Sequence, residues 1–172
     1  ICTTRYYTGS RTISASTWAE DLARHWASLP EGARIVIKRD LENAFKTLQA
    51  KGKKAIHFSA IWWSLGAHFT NIYHASSAKT HEGRLAVLDS LSDGKKDLTA
   101  DPVWKNWLAT FDLLKKYNGS PANLTDTEYD ASIAALSSGD YGFMFQGNWT
   151  EPNLMTAAPG VDFGIMNLPI ST

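Results

Sequence analysis

Residues Ser138–Trp149, SGDYGFMFQGNW, decide how the chain is read. Ser138-Gly139-Asp140 spells a turn. Tyr141 to Phe145 is a short aromatic and apolar run that suits a buried strand. Gln146-Gly147-Asn148 is a polar loop in which the glycine frees the backbone. Glu151-Pro152 places a proline where the first turn of a helix tolerates it, so Trp149 stands at a helix entrance. A strand that passes through a polar loop into a helix N-terminus presents ligand groups in many α/β proteins. Here those groups are the free N–H groups of the helix, the Gln146 and Asn148 amides, and the flat apolar face of Trp149. The competing reading places Trp149 in the core between strand and helix, since large aromatics are mostly buried.

Working outward, Gly139 closes a helix through Tyr129, Ile133 and Leu136, which a Thr125/Glu128 capping box opens. Before it, Asp101-Pro102 combines a cap with a first-turn proline. Val103, Trp104, Trp107, Leu108, Phe111 and Leu114 then form one broad apolar stripe. Ser92 to Ala100 is a charged loop, and Thr80 to Leu91 is helical in pattern through Leu85, Leu88 and Leu91. Ala55 to Ser59 reads as a strand leading into Ala60-Ile61-Trp62-Trp63 and a helix bearing Leu65, Phe69 and Ile72. Asp40 is the expected cap of a helix with Leu41, Ala44, Phe45 and Leu48 on one face, closed by Lys51-Gly52. Further upstream, Arg34 to Ile37 is a strand candidate, and Thr17 to Glu20 caps a helix carrying Trp18, Leu22 and Trp26. The residues up to Ser16 read as a loop or loose strand. Towards the other end, the helix after Trp149 stops at Pro159-Gly160, and Asp162 to Met166 is a last strand. Alternation of helix and short strand is the pattern of an α/β protein.

The chain has 172 residues, enough for one domain with a sizeable core. Its 17 basic and 17 acidic residues balance, and the basic ones are scattered, which gives no electrostatic case for nucleic acid. A single cysteine, Cys2, rules out an internal disulfide. No apolar run is long enough to span a bilayer. No secretory signal is read, which leaves a cytosolic chain or a leader missing from this sequence. The chain is rich in aromatics, with seven tryptophans, some of which belong to the core. Such an excess also suits the grip on sugars, whose CH faces lie on rings while their hydroxyls seek amides and carboxylates.

Other constellations are weaker. Asp89, Asp93, Asp97 and Asp101 evoke a calcium loop, but Leu91 and Ala100 occupy positions where ligands are needed. The five histidines include no HExxH and no i, i+4 pair, so neither a metal nor a cofactor is expected. His57 reads as a hydrogen-bonded structural residue. No nucleophile elbow is present.

The order of these elements resembles the extracytoplasmic solute-binding proteins of carbohydrate ABC importers, in the maltose-binding-protein branch. Four stretches carry the resemblance. They are Lys51-Gly52 followed by AIHFS and a tryptophan-bearing segment; LSDGKKDLTADPVWKNWLATFDLLKKY; ALSSGDYGFMFQGNW, similar to the family's F-x-x-G-x-x-A-M-x-x-x-G-x-W; and APGVDFGIMNLP, similar to its P-x-x-D-x-G-x-x-x-L-P. Phe143 stands where the family has an alanine. The match covers the chain from about Asp40 to Pro169, whereas residues 1–34 match poorly, and family members are two-lobed and more than twice this length.

The resemblance implies an α/β fold, a three-layer lobe of the type II periplasmic-binding-protein class, with residues 35–172 as a lobe forming one domain with the preceding segment. It implies a non-enzymatic, extracytoplasmic protein that binds a mono- or oligosaccharide and delivers it to a membrane ABC permease. The ligand would be clamped against a second lobe or a second copy of the chain. Trp149 would stack on sugar, with Gln146, Gly147, Asn148 and Glu151 beside it. Trp62 or Trp63 would line the cleft, though adjacent helical residues diverge too far for both to face it. Two rivals remain: a glycan-processing enzyme domain, which needs paired carboxylates flanking the tryptophans, and a scaffold with no small ligand.

Overall fold

The computed structural model of the protein describes residues 2–4, 37–120, 125 and 129–170. The strand at 34–37 (apart from Ile37) and the helix through Trp18, Leu22 and Trp26 lie outside the described residues. So does the Thr125/Glu128 box apart from Thr125. Within the stretch up to Ser16 that reads as a loop or loose strand, Cys2–Thr4 forms a strand, β1.

Helix α1, Lys38–Ala50, begins earlier than the sequence reading places it. Ile37 is the extended residue at its entrance, and Asp40 lies inside the first turn, where its Oδ2 accepts from the Ile37 backbone N–H at 3.2 Å. Asp40 is therefore not the cap. A carboxylate three residues in satisfies an orphan donor and complements the positive end of the helix. Leu41 and Phe45, four apart, are fully buried. Gly52, at φ 71°, closes the helix, its N–H donating to Gln49 O at 2.9 Å.

Strand β2, Lys54–His57, pairs in parallel with β3, Tyr141–Met144, in the register Lys54↔Tyr141, Ile56↔Phe143, His57↔Met144. Strand β1 runs antiparallel to β3 on its other side, and β4, Phe163–Ile165, runs antiparallel to β1. The strand order is β2-β3-β1-β4. The described residues thus form a mixed α/β structure, mostly helical, built on one parallel pair.

After β2 the chain enters a π-helical segment, Trp63–Phe69, that passes into α2, Thr70–Ser76. Helix α3, His81–Ser92, is capped by Thr80, whose Oγ1 accepts from Gly83 N at 3.1 Å. None of its residues is buried; Leu85 and Leu88 face solvent and only Leu91 packs on the core. Helix α4, Pro102–Tyr117, starts at Asp101 as the sequence indicates. Its stripe is narrower than expected, because Leu108 is exposed whereas Trp107, Thr110, Leu114 and Tyr117 are buried. Asn118 ends α4 and ties it to β2, accepting from Phe58 N at 3.1 Å and donating to Phe58 O at 2.7 Å. Helices α5, Tyr129–Ser137, and α6, Glu151–Ala157, flank β3 in sequence. Gly139, at φ 74°, makes the turn between α5 and β3.

Alternation along β3 divides the apolar interior. Phe143 and Phe145 join a cluster with Leu41 and Phe45 of α1, Tyr73 of α2 and Trp107 and Leu114 of α4. Met144 joins a second cluster with Ile133 and Leu136 of α5 and Leu154 of α6. Successive strand residues point to opposite faces, so helices cover both sides of β3. Phe58 sits among Phe69, Phe111 and Phe145, with ring centroids 5.6–5.7 Å away. Trp104 and Trp107 stack at 4.5 Å, and Trp107 Nε1 donates to Phe69 O at 2.8 Å. Part of the tryptophan excess is therefore core.

Candidate functional site

Parallel strands deliver their C-terminal ends to one edge of a sheet, the usual place for ligands in α/β structures. In this protein β2 ends towards Ser59 and the Trp62-Trp63 pair, and β3 ends in Gln146-Gly147-Asn148-Trp149. Phe145 N donates to His57 O at 3.0 Å and carries the pairing to the last residue before that loop.

A 3₁₀ turn, Asn148–Thr150, intervenes between the loop and α6. Thr150 N donates to Gly147 O at 3.2 Å, and Thr150 Oγ1 to the same oxygen at 2.8 Å. The free N–H groups expected at this helix entrance are thus fewer than in a bare N-terminus, because the turn consumes two: that of Thr150, and that of Glu151, which donates to Asn148 O. Thr150 is fully buried and pins the turn.

Trp149 is 48% exposed and is not a core residue. Its ring lies against Gly147, so closely that a Cβ there would overlap it. On this ring packs His68, centroid to centroid at 4.7 Å with 38° between planes. Trp63, partly buried, meets His68 edge-on at 5.7 Å. The structure therefore joins Trp63 to Trp149 through a histidine, while Trp62 projects into solvent at 79% exposure. Of the adjacent pair, Trp63 packs and Trp62 does not.

Sequence reading did not select His68. Trp63 and His68 are five residues apart, which in an α-helix separates their directions by about 140°. Here the chain is π-helical, and its i→i+5 repeat brings such residues over one another. The tryptophan-rich segment was a visible signal; the widened turn was not.

Gln146 differs from its expected role as a displayed loop amide. It is 95% buried, and neither Oε1 nor Nε2 has a hydrogen-bond partner. An enclosed amide without partners costs roughly 1–3 kcal/mol and readily accepts hydroxyls that reach it. Asn148 and Glu151 are exposed, Glu151 in the first turn of α6.

The remaining polar residues are committed elsewhere. His57 is buried at the end of β2, edge-on to Tyr141 at 5.5 Å, and burial pushes its pKa below the usual imidazole value, with Lys54 adding to the effect. Its Nδ1 makes no hydrogen bond, contrary to the expected hydrogen-bonded role. The acidic loop takes lysine partners: Asp93 pairs with Lys95 at 2.7 Å and Asp101 with Lys96 at 2.8 Å. Among the described residues no group of three His, Cys, Asp or Glu is placed to hold a metal, and no helix is long and apolar enough to cross a membrane. A shallow groove of about 450 Å³ lies between α5 and α6, lined in part by Asp130, Ile133, Pro152 and Asn153, and takes in none of the rings of Trp63, His68 and Trp149.

In comparisons with known proteins, the chain matches no family model, no curated protein and no solved structure.

Proposed function

We propose that the chain is one lobe of an extracytoplasmic sugar-binding protein serving an ABC importer, in a three-layer lobe of the type II periplasmic-binding class. The observation that carries this reading is Trp149, a half-exposed ring lying on Gly147 at the C-terminal end of a parallel strand. A flat ring of this kind is what a sugar's CH face packs on, and the partnerless Gln146 amide beside it in sequence is of the kind that hydroxyls satisfy. Helices on both sides of β3 support the three-layer arrangement. An exposed Trp149 favours ligand binding over a scaffold, for which a buried ring is expected. Closure against a second lobe, or a second copy of the chain, completes the cleft and signals to the permease. Binding needs no metal or cofactor and no nucleic acid, and it cleaves nothing; Glu151 is the acidic neighbour of Trp149 in sequence.

The test is calorimetric titration of the wild type and Trp149→Ala with a panel of neutral mono- and oligosaccharides, alongside denaturant midpoints. Loss of an aromatic anchor costs roughly 2 kcal/mol or more in binding, about a thirtyfold fall in affinity. The midpoint should move less than for a core tryptophan, whose truncation costs about 3–5 kcal/mol. Unchanged affinity in the folded variant removes Trp149 from the site, and saturable cleavage lost in Glu151→Gln replaces the reading with the enzyme one.

A further inference from the structure

The ring of Trp149 is held by two different parts of the chain. Beneath it is Gly147, whose missing Cβ lets the ring reach the backbone. Against it is His68, at 4.7 Å, itself met edge-on by Trp63 at 5.7 Å. That contact depends on the π-helical turn, because an α-helix would point Trp63 and His68 in different directions. Crowding at the segment's glycine does not force the widened turn: a Cβ at Gly66 would meet open space. The segment is instead braced at its end, where Thr70 N and Thr70 Oγ1 both donate to Leu65 O, the hydroxyl at 2.8 Å. π turns are uncommon and occur frequently at functional sites. Here the residue aimed is His68, and what it reaches is the half-exposed Trp149.

We propose that His68 is a positioning residue. Seated by Trp63 on the π turn, it fixes the Trp149 ring over Gly147 in one orientation before ligand arrives. This rests on the sugar-binding reading for its purpose but not for its geometry. A tryptophan side chain that must be immobilised on binding loses affinity to the ordering cost, and one already held does not. Gly147 and His68 therefore act together: the first makes room for the ring and the second keeps it there.

Fluorine NMR of the full chain labelled with fluorotryptophan tests this, the residue-149 signal being assigned by its loss in Trp149→Phe. The wild type should give one narrow signal for residue 149. His68→Ala should broaden or split it, and His68→Phe, which restores a ring, should narrow it again. Width and multiplicity are the deciding quantities, since removing a neighbouring ring current shifts a signal without any motion. His68→Leu keeps the bulk without the ring and replaces the alanine variant if that fails to fold. Affinity for whichever saccharide titrates should fall about two- to tenfold in His68→Ala and recover in His68→Phe. A residue-149 signal equally narrow and single in folded His68→Ala or His68→Leu overturns the proposal. A signal that broadens on loss of His68, but that no saccharide perturbs in the wild type, upholds the positioning role and rejects the sugar reading.

Discussion

Asp101 should make the fold acid-sensitive through one carboxylate. The residue is 7% exposed at the entrance to α4. Its Oδ2 accepts from Tyr73 Oη at 2.9 Å and from Lys96 Nζ at 2.8 Å. Its Oδ1 accepts from Val103 N at 2.8 Å and Trp104 N at 3.4 Å. Burial alone would raise the pKa, but the hydrogen bonds from Lys96, Tyr73, Val103 and Trp104 outweigh it and hold the carboxyl at about 2, below 3.8. The Tyr73 hydroxyl is pushed up to about 12, first by burial and then by its bond to Asp101, so it remains a donor. A depressed folded-state pKa contributes stability that is complete above the unfolded value and is lost as pH falls towards the folded one. At roughly 1.4 kcal/mol per pKa unit, the contribution is about 2 kcal/mol at neutral pH, and about half of it is gone by pH 3. In Asp101→Asn the amide oxygen can still cap α4, but the charge that holds Lys96 is absent. Urea unfolding at pH 7 should therefore show a deficit of about 2 kcal/mol, a midpoint shift of about 1 M for a protein of this size, shrinking to about 1 kcal/mol at pH 3. Asp101→Ala, which also uncaps α4 and orphans the Tyr73 hydroxyl, should cost about 3 kcal/mol or more at pH 7. Equal deficits for Asp101→Asn at the two pH values would refute the electrostatic argument, as would no deficit at pH 7.

Gln146→Met replaces an enclosed, partnerless amide by an apolar chain of similar shape, so the folded state should gain up to about 1–3 kcal/mol while sugar affinity falls; a destabilised variant would show that the amide is bonded in solution. Gly139 adopts φ 74°, and Gly139→Ala should lower stability by about 1 kcal/mol in thermal unfolding, an unchanged melting temperature meaning that the turn can relax. Trp62, at 79% exposure, should tolerate Trp62→Ala within about 0.5 kcal/mol of folding stability. A matching loss of sugar affinity would place Trp62 on the ligand surface, whereas unchanged affinity would leave Trp63 and Trp149 as the aromatic contacts.

Much of the secondary structure was legible because its causes are local. Asp101-Pro102 starts α4, and Lys51-Gly52 and Gly139 end helices, each through groups within a few residues of one another. The apolar runs at Ala55–Ser59 and Tyr141–Phe145 became β2 and β3 because their side chains are buried nearly throughout. Asp40 was misread because a carboxylate can serve an amide from the cap or from the third helical position, and only the backbone of Ile37 distinguishes the two.

What lay beyond the sequence depends on contacts between distant residues. Nothing in Cys2–Thr4 announces that it sits between β3 and β4, antiparallel to both. Leu108 falls on the apolar stripe by spacing, yet nothing packs over it enough to bury it. The loop SGDYGFMFQGNW was recognisable by itself, but whether Trp149 is core or surface was not, since residue type favours burial and only neighbours decide it. The same holds for Gln146, polar by composition and enclosed by the fold. His68 became part of the site through a π turn, whose i→i+5 bonding sums small backbone changes over the segment and has no marker in residue type. Short-range hydrogen bonds and apolar period were written in the chain; exposure, pairing and ring stacking were settled only when separate segments met.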